Sequence, residues 1–163
     1  MKNYGKQFEK KFASDVAKIP GVSVDRILDV TYGYKSISNV SDFIVYKYPE
    51  IFYMEIKSIH GNTFPLTNLT QYEKLLSKRG IKGVNAGVTI WFIDHQRVVY
   101  APIAAFERLK AEGAKSLNIR TLNLSEYGVI EVPSVKKRVF LDSDYSVIFK
   151  GTDYYDTLEV QNE

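Results

Sequence analysis

The run SDFIVYKYPEIFYMEIKS, residues 41–58, constrains the fold more than any other stretch of the chain. Two apolar segments, DFIVYK and IFYMEIKS, flank a tight Tyr-Pro-Glu connection and read as two strands. In the second strand side chains alternate between faces. Phe52, Met54 and Ile56 share one face; Ile51, Tyr53, Glu55 and Lys57 share the other. Glu55 and Lys57 are therefore neighbours, roughly 6.5–7 Å apart along the strand. If the two strands pair through the turn, Asp42 at the mouth of the first approaches Glu55 to Ser58 at the end of the second. Charged groups then gather at one end of strands that otherwise carry apolar side chains.

The rest of the chain supplies helices for such strands to pack against. Tyr4, Phe8, Phe12 and Val16 recur every four residues, which predicts an amphipathic helix over roughly residues 3–18, ended by Ile-Pro-Gly. Short strand-like pieces, VSVDRILDV and TYGYKSISNV, follow. FPLTNLTQYEKLLSKRG reads as a turn and a helix with a Leu69, Tyr72, Leu75, Leu76 stripe and a stop at Gly80. AGVTIWFID and RVVYAPI read as two further strands, AAFERLKAEG as a short helix, and GVIEVP, KRVFL and YSVIFK as strands. The order α, several β, α, β, β, α implies an α/β fold, a mixed β-sheet flanked by helices. At 163 residues the chain is long enough for one domain with a sizeable core.

Composition excludes several chemistries. There is no cysteine, hence no disulfide, thiolate nucleophile or Cys-ligated zinc, which fits a reducing cytoplasm. No apolar run approaches the roughly 20 residues that span a bilayer, and no secretory signal opens the chain. No phosphate-binding Gly-rich loop and no G-x-S-x-G elbow occurs. Residues 139–163 carry six acids and one base, so the preceding 138 residues hold 21 bases and 13 acids. A basic body with an acidic extension at 139–163 fits an anionic partner for residues 1–138.

Two carboxylates at a strand end form a hard-oxygen site suited to Mg²⁺ or Mn²⁺, to which the Ile56 carbonyl can add a ligand. Lys57 places positive charge where a phosphate oxygen would sit. A surface Glu–Lys pair is the plainer alternative. Asp42, thirteen residues, then Glu55-Ile56-Lys57 resembles the PD-(D/E)xK nuclease motif. Phe64-Pro65-Leu66, the helix glutamine Gln71, the N-terminal NYGKQFEKKF and the turn GAKSLNI narrow the likeness. Together they resemble the RecU-type Holliday junction resolvases, also called penicillin-binding-protein-related factor A. Hjc-type archaeal resolvases are a second, weaker resemblance.

The resemblance implies a restriction-endonuclease-like core and a Mg²⁺-dependent endonuclease, for which Mn²⁺ can substitute, that resolves four-way DNA junctions. It implies Asp42, Glu55 and the Ile56 carbonyl as metal ligands, Lys57 beside them, Glu9 and Gln71 assisting, and Ser41 in the place of a threonine-rich segment that meets DNA. Paired symmetric cuts imply a homodimer. This chain lacks the long stalk of the RecU type, having only DVTYGYKSISNV before Asp42, and looks like a compact, phage-encoded member. Duplex-cutting nucleases of the same superfamily and a non-catalytic DNA-binding module are the alternatives.

From the residues themselves, Glu9 falls inside the apolar arc of its helix, where it either rotates to the edge or faces a cation at the sheet. Gln71 either reaches the site or lies in solvent. His60 is a base, a DNA contact or polar surface, and His95 reads as a hairpin turn. Tyr32, Tyr34 and Lys35 around Gly33 form either an ordinary turn or a tip that stacks on unpaired bases and touches phosphates.

Overall fold

A computed structural model describes residues 3–28, 30–32 and 35–149, of which 30–32 and 35–37 by backbone alone. The first helix, α1 (Tyr4–Ala17), starts where the Asn3 side chain accepts the Lys6 N–H at 3.2 Å. Its buried stripe is Phe8, Phe12 and Val16, the spacing read from sequence. It ends ahead of Pro20 and Gly21, and Gly21 takes a left-handed φ of 74°.

Six strands form the central sheet: β1 (Val22–Arg26), β4 (Phe43–Lys47), β5 (Glu50–Ile59), β7 (Val84–Phe92), β8 (Arg97–Pro102) and β10 (Ile130–Val132). Their order is β1-β4-β5-β7-β8-β10. β5 and β7 run parallel and every other neighbouring pair runs antiparallel, so the sheet is mixed. Lys47 pairs with Glu50, leaving Tyr48–Pro49 as the two-residue turn between β4 and β5. Three small ribbons attach to this sheet: β2 (Val30–Tyr32) with β3 (Lys35–Ile37), β6 (Thr63–Pro65) with β9 (Ser116–Asn118), and β11 (Ser134–Lys136) with β12 (Leu141–Ser143).

Each face of the sheet carries its own core. Phe52, Met54 and Ile56 of β5 meet Phe8, Phe12 and Val16 of α1 on one face. On the other face Val88, Ile90 and Phe92 of β7 pack against α2 (Tyr72–Leu76), α3 (Ile103–Ala111) and the β6–β9 ribbon. Burying each large apolar side chain is worth about 1.5–3 kcal/mol. Helices therefore flank the sheet, as the α/β reading required. Gly87 has a steric purpose, since a Cβ there would stand 2.6 Å from the Tyr100 ring. Among the described residues no helix is long and apolar enough to cross a membrane.

The strand expected at YSVIFK is a 3-10 turn over residues 145–149. Asp144 Oδ1 accepts the Ser146 N–H at 3.0 Å and the Ser146 hydroxyl at 2.6 Å, starting a turn instead of an extended run. Tyr145, Ile148 and Phe149, spaced by three and four, then all enter the α1-side core together with Leu141. Helix α2 is also shorter than expected. Leu69 falls outside it, capping a separate 3-10 turn at Leu66–Asn68, although Leu69 and Leu75 are both buried.

Candidate active site

The β4–β5 ladder ends at Phe43 opposite Met54. Asp42 continues the chain past that point and is fixed on two sides. Its main-chain carbonyl accepts the Ile27 N–H at 2.8 Å, and its Oδ2 accepts the Ile56 N–H at 2.8 Å. A side-chain carboxylate thus takes the place of the next ladder bond. The N–H and C=O of a strand residue point to the same side. The Ile56 carbonyl therefore faces the space beyond the end of β4, next to Asp42.

Glu55 shares its face of β5 with Lys57, as the alternation predicts. Its side chain is 2% exposed, and its Oε1 lies 3.2 Å from Lys57 Nζ. Glu55 Oε2 is buried and meets no hydrogen-bond donor among the described residues, while the Asp42 carboxylate lies beside the Glu55 side chain. Burial, and then the Asp42 carboxylate beside it, push the Glu55 pKa up to about 7; Lys57 acts against both. When both acids ionise, one ammonium faces two carboxylates and a negative charge stays uncompensated.

Glu9 comes to this end of the sheet from α1. Burial and then Asp42 raise its pKa, while Arg26 and Lys57 lower it. Arg26 Nη2 sits 2.7 Å from Glu9 Oε2, an ion pair that lacks the angular geometry of a hydrogen bond. Of the two positions open to Glu9, the one facing a cation is occupied. The sequence reading missed Arg26. Its signal was the alternation Val22, Val24, Arg26, which turns all three toward α1.

The donor set suits a hard divalent cation. The Asp42 and Glu55 carboxylates lie side by side, the Ile56 main chain adjoins them, and one carboxylate oxygen is buried without a donor among the described residues. Among the described residues no three His, Asp or Glu side chains gather into a metal-binding group.

The other residues singled out in the sequence fall in different places. Ser41, expected at the DNA, is 2% exposed and its hydroxyl donates to the Phe43 carbonyl at 2.9 Å. That bond braces the turn carrying Asp42 and points the hydroxyl inward. Gln71 stands just before α2, on the face of the sheet to which Glu55 and Lys57 point, and its Oε1 accepts the Thr70 hydroxyl at 3.0 Å. His60 Nδ1 lies 2.9 Å from Asp94 Oδ1, while Asp94 Oδ2 accepts the Gly61 N–H at 2.7 Å, so His60 belongs to a loop brace. His95 lies in the β7–β8 connection, as read.

In the β2–β3 ribbon Tyr32 pairs with Lys35. Gly33, Tyr34 and the side chains of Tyr32 and Lys35 lie outside the described residues. The base of this excursion is pinned to the domain. Lys74 of α2 donates to the Ser38 hydroxyl at 2.7 Å and to the Ser38 carbonyl, and Asn39 Nδ2 donates to the Leu28 carbonyl at 2.9 Å.

No protein-family model and no curated protein matches this chain. Among solved structures it is similar to Hjc of Archaeoglobus fulgidus, a Holliday junction resolvase from an archaeal hyperthermophile. The two superpose with a TM-score of 0.55 at 18% identity, over 78% of this chain and 95% of the archaeal one. At that identity the likeness is one of architecture, and the chain shares the restriction-endonuclease-like fold of that resolvase.

Proposed function

We propose that this protein is a cytoplasmic, Mg²⁺-dependent DNA endonuclease that resolves four-way junctions by paired symmetric cuts, working as a homodimer. The observation that carries the reading is the buried Glu55 carboxylate, whose Oε2 meets no donor among the described residues, next to Asp42 and Lys57 at one strand end. A fold shared with a Holliday junction resolvase supports the choice of substrate.

Asp42, Glu55 and the Ile56 carbonyl would hold Mg²⁺, with Mn²⁺ as a substitute. When bound, the metal supplies Lewis-acid stabilisation of charge on a phosphodiester. The protein's own groups do the rest. The Ile56 N–H fixes the Asp42 carboxylate in one orientation. Lys57 holds a cation next to Glu55 and presents it to a phosphate oxygen. Arg26 neutralises Glu9 at the rim, which lowers repulsion of incoming phosphates. Gln71 approaches from the α2 side to orient a phosphate or its water. A C₂ dimer offers two such sites to a two-fold junction.

The test compares cleavage of a four-way junction, a fork and a linear duplex, each with Mg²⁺ and with EDTA. Mg²⁺-dependent cutting of the junction, in symmetric pairs, is the expected outcome. Equal cutting of linear duplex would assign the site to a restriction- or repair-type enzyme, and binding without cutting to a DNA-binding module.

A further inference from the structure

At the same end of the sheet, on the α1 side, lies a second cleft. It has a volume of about 280 Å³ and runs between the start of α1 and the β11–β12 hairpin. Tyr4, Trp91, Gln96, Lys136, Arg138 and Val139 line it, and no acidic residue does. We propose that this cleft is a second DNA-binding element, taking a phosphodiester segment of the strand that runs past the cleavage site. The proposal rests on the nuclease reading given above.

Charge is the first argument. The hairpin carries Lys136, Lys137 and Arg138 in succession. Lys137 turns to Asp142 across the ribbon, at 3.8 Å. Lys136 and Arg138 are exposed and make no ion pair among the described residues, although many of the protein's bases are matched with acids. Two unpaired cations over one cleft favour an anion with charges in series, as a nucleic-acid backbone has.

Position is the second argument. Trp91 follows Ile90, the β7 partner of Lys57, by one residue. Tyr4 and Glu9 sit on successive turns of α1. A strand threading the candidate site therefore meets this cleft without leaving that end of the sheet. The floor is aromatic, with the Tyr4 and Trp91 rings 6.0 Å apart, edge to face. The buried Trp91 Nε1–H lacks an acceptor among the described residues, so a hydrogen-bond acceptor is wanted beneath the cleft.

Trp91 is the only tryptophan in the chain, so its emission reports on this cleft alone. The full-length protein is titrated in EDTA with a four-way junction between 50 and 200 mM salt, following Trp91 emission and the anisotropy of labelled DNA. The wild type should change emission on binding. Lys136→Ala with Arg138→Ala should abolish that change and reduce the log-affinity versus log-salt slope by about 2, roughly 0.9 per phosphate contact. Exchanging the charges conservatively, Lys136→Arg with Arg138→Lys, should restore both, which separates charge from folding. An unchanged slope and unchanged emission response in the alanine variant overturns the proposal. So does a drop in molar mass with DNA binding intact, since the hairpin then packs on a second copy. Failure of the wild type to bind any DNA instead removes the nuclease reading beneath it.

Discussion

Replacing Glu55 by glutamine should make the metal-free protein more stable while ending its chemistry. The carboxylate is 2% exposed, and its pKa rises from 4.5 to about 7 in the fold. Each pH unit between those values is worth ~1.4 kcal/mol. Holding the ionised carboxylate in place therefore costs on the order of 3 kcal/mol above neutral pH. The pKa is raised in the folded state, so the stabilising contribution is complete below about pH 4.5 and is lost as pH rises through about 7.

Glutamine keeps the shape, carries no charge, and can donate its amide to Asp42. Losing the Glu55–Lys57 ion pair takes back part of the gain. The expected net stabilisation in EDTA at pH 8 is about 1–3 kcal/mol, a rise of roughly 2–4 °C in Tm per kcal/mol for a domain of this size. At pH 5 most of the difference should vanish. With Mg²⁺ the order should reverse if the proposed metal site forms, because only the wild type would then gain binding free energy. The assay is thermal or urea unfolding at the two pH values, with EDTA and with Mg²⁺. A variant less stable than wild type at pH 8 in EDTA, or one whose gain is the same at pH 5, refutes the argument that burial of this charge is the dominant local cost.

Four further outcomes follow from the same geometry. Asp42→Asn should abolish cleavage while junction affinity, read by anisotropy, stays the same or rises, because a negative charge beside phosphates has been removed. Lys57→Ala should lower the cleavage rate severely yet leave Mn²⁺ binding measurable by calorimetry, since Lys57 supplies no ligand oxygen. Tyr32→Ala with Tyr34→Ala should cost tens-fold or more in junction affinity, at about 1–3 kcal/mol per stacked base, and little on linear duplex; an unchanged junction-to-duplex ratio would mark the ribbon tip as an ordinary turn. Gly87→Ala should shift the urea midpoint down by the equivalent of about 1–3 kcal/mol, as overpacking against Tyr100 requires.

Local periodicity was enough to read the sheet's central strand and the first helix. Phe52, Met54 and Ile56 face α1 because strands alternate, and Phe8, Phe12 and Val16 face the sheet because helices repeat near every fourth residue. Asp42 could be brought to the Glu55–Ser58 end from sequence because the connection between the strands is tight, although the turn is Tyr48–Pro49 and Glu50 already belongs to β5. Arg26 could not be assigned to Glu9, because that contact depends on where α1 crosses β1, which no local pattern carries. Ser41 looked like a DNA contact by position, but side-chain bonding to the backbone two residues on turned it inward. The apolar run at 145–149 looked like a strand until the Asp144 cap decided otherwise, since a run of five apolar and small residues fits either period.

The parallel pairing of β5 with β7 has a consequence for how the protein is made. The β4–β5 hairpin closes over neighbouring residues and can form early, but β7 joins β5 only after the intervening residues 60–83 have folded back, a non-local closure that is intrinsically slow. Until then Glu55 lacks the β7 neighbour that helps bury it, and burial is the main cause of its raised pKa in the folded protein. During synthesis on the ribosome the strand carrying Glu55 and Lys57 emerges well before residues 84–92. The burial that tunes Glu55 is therefore complete only once β7 has joined the sheet.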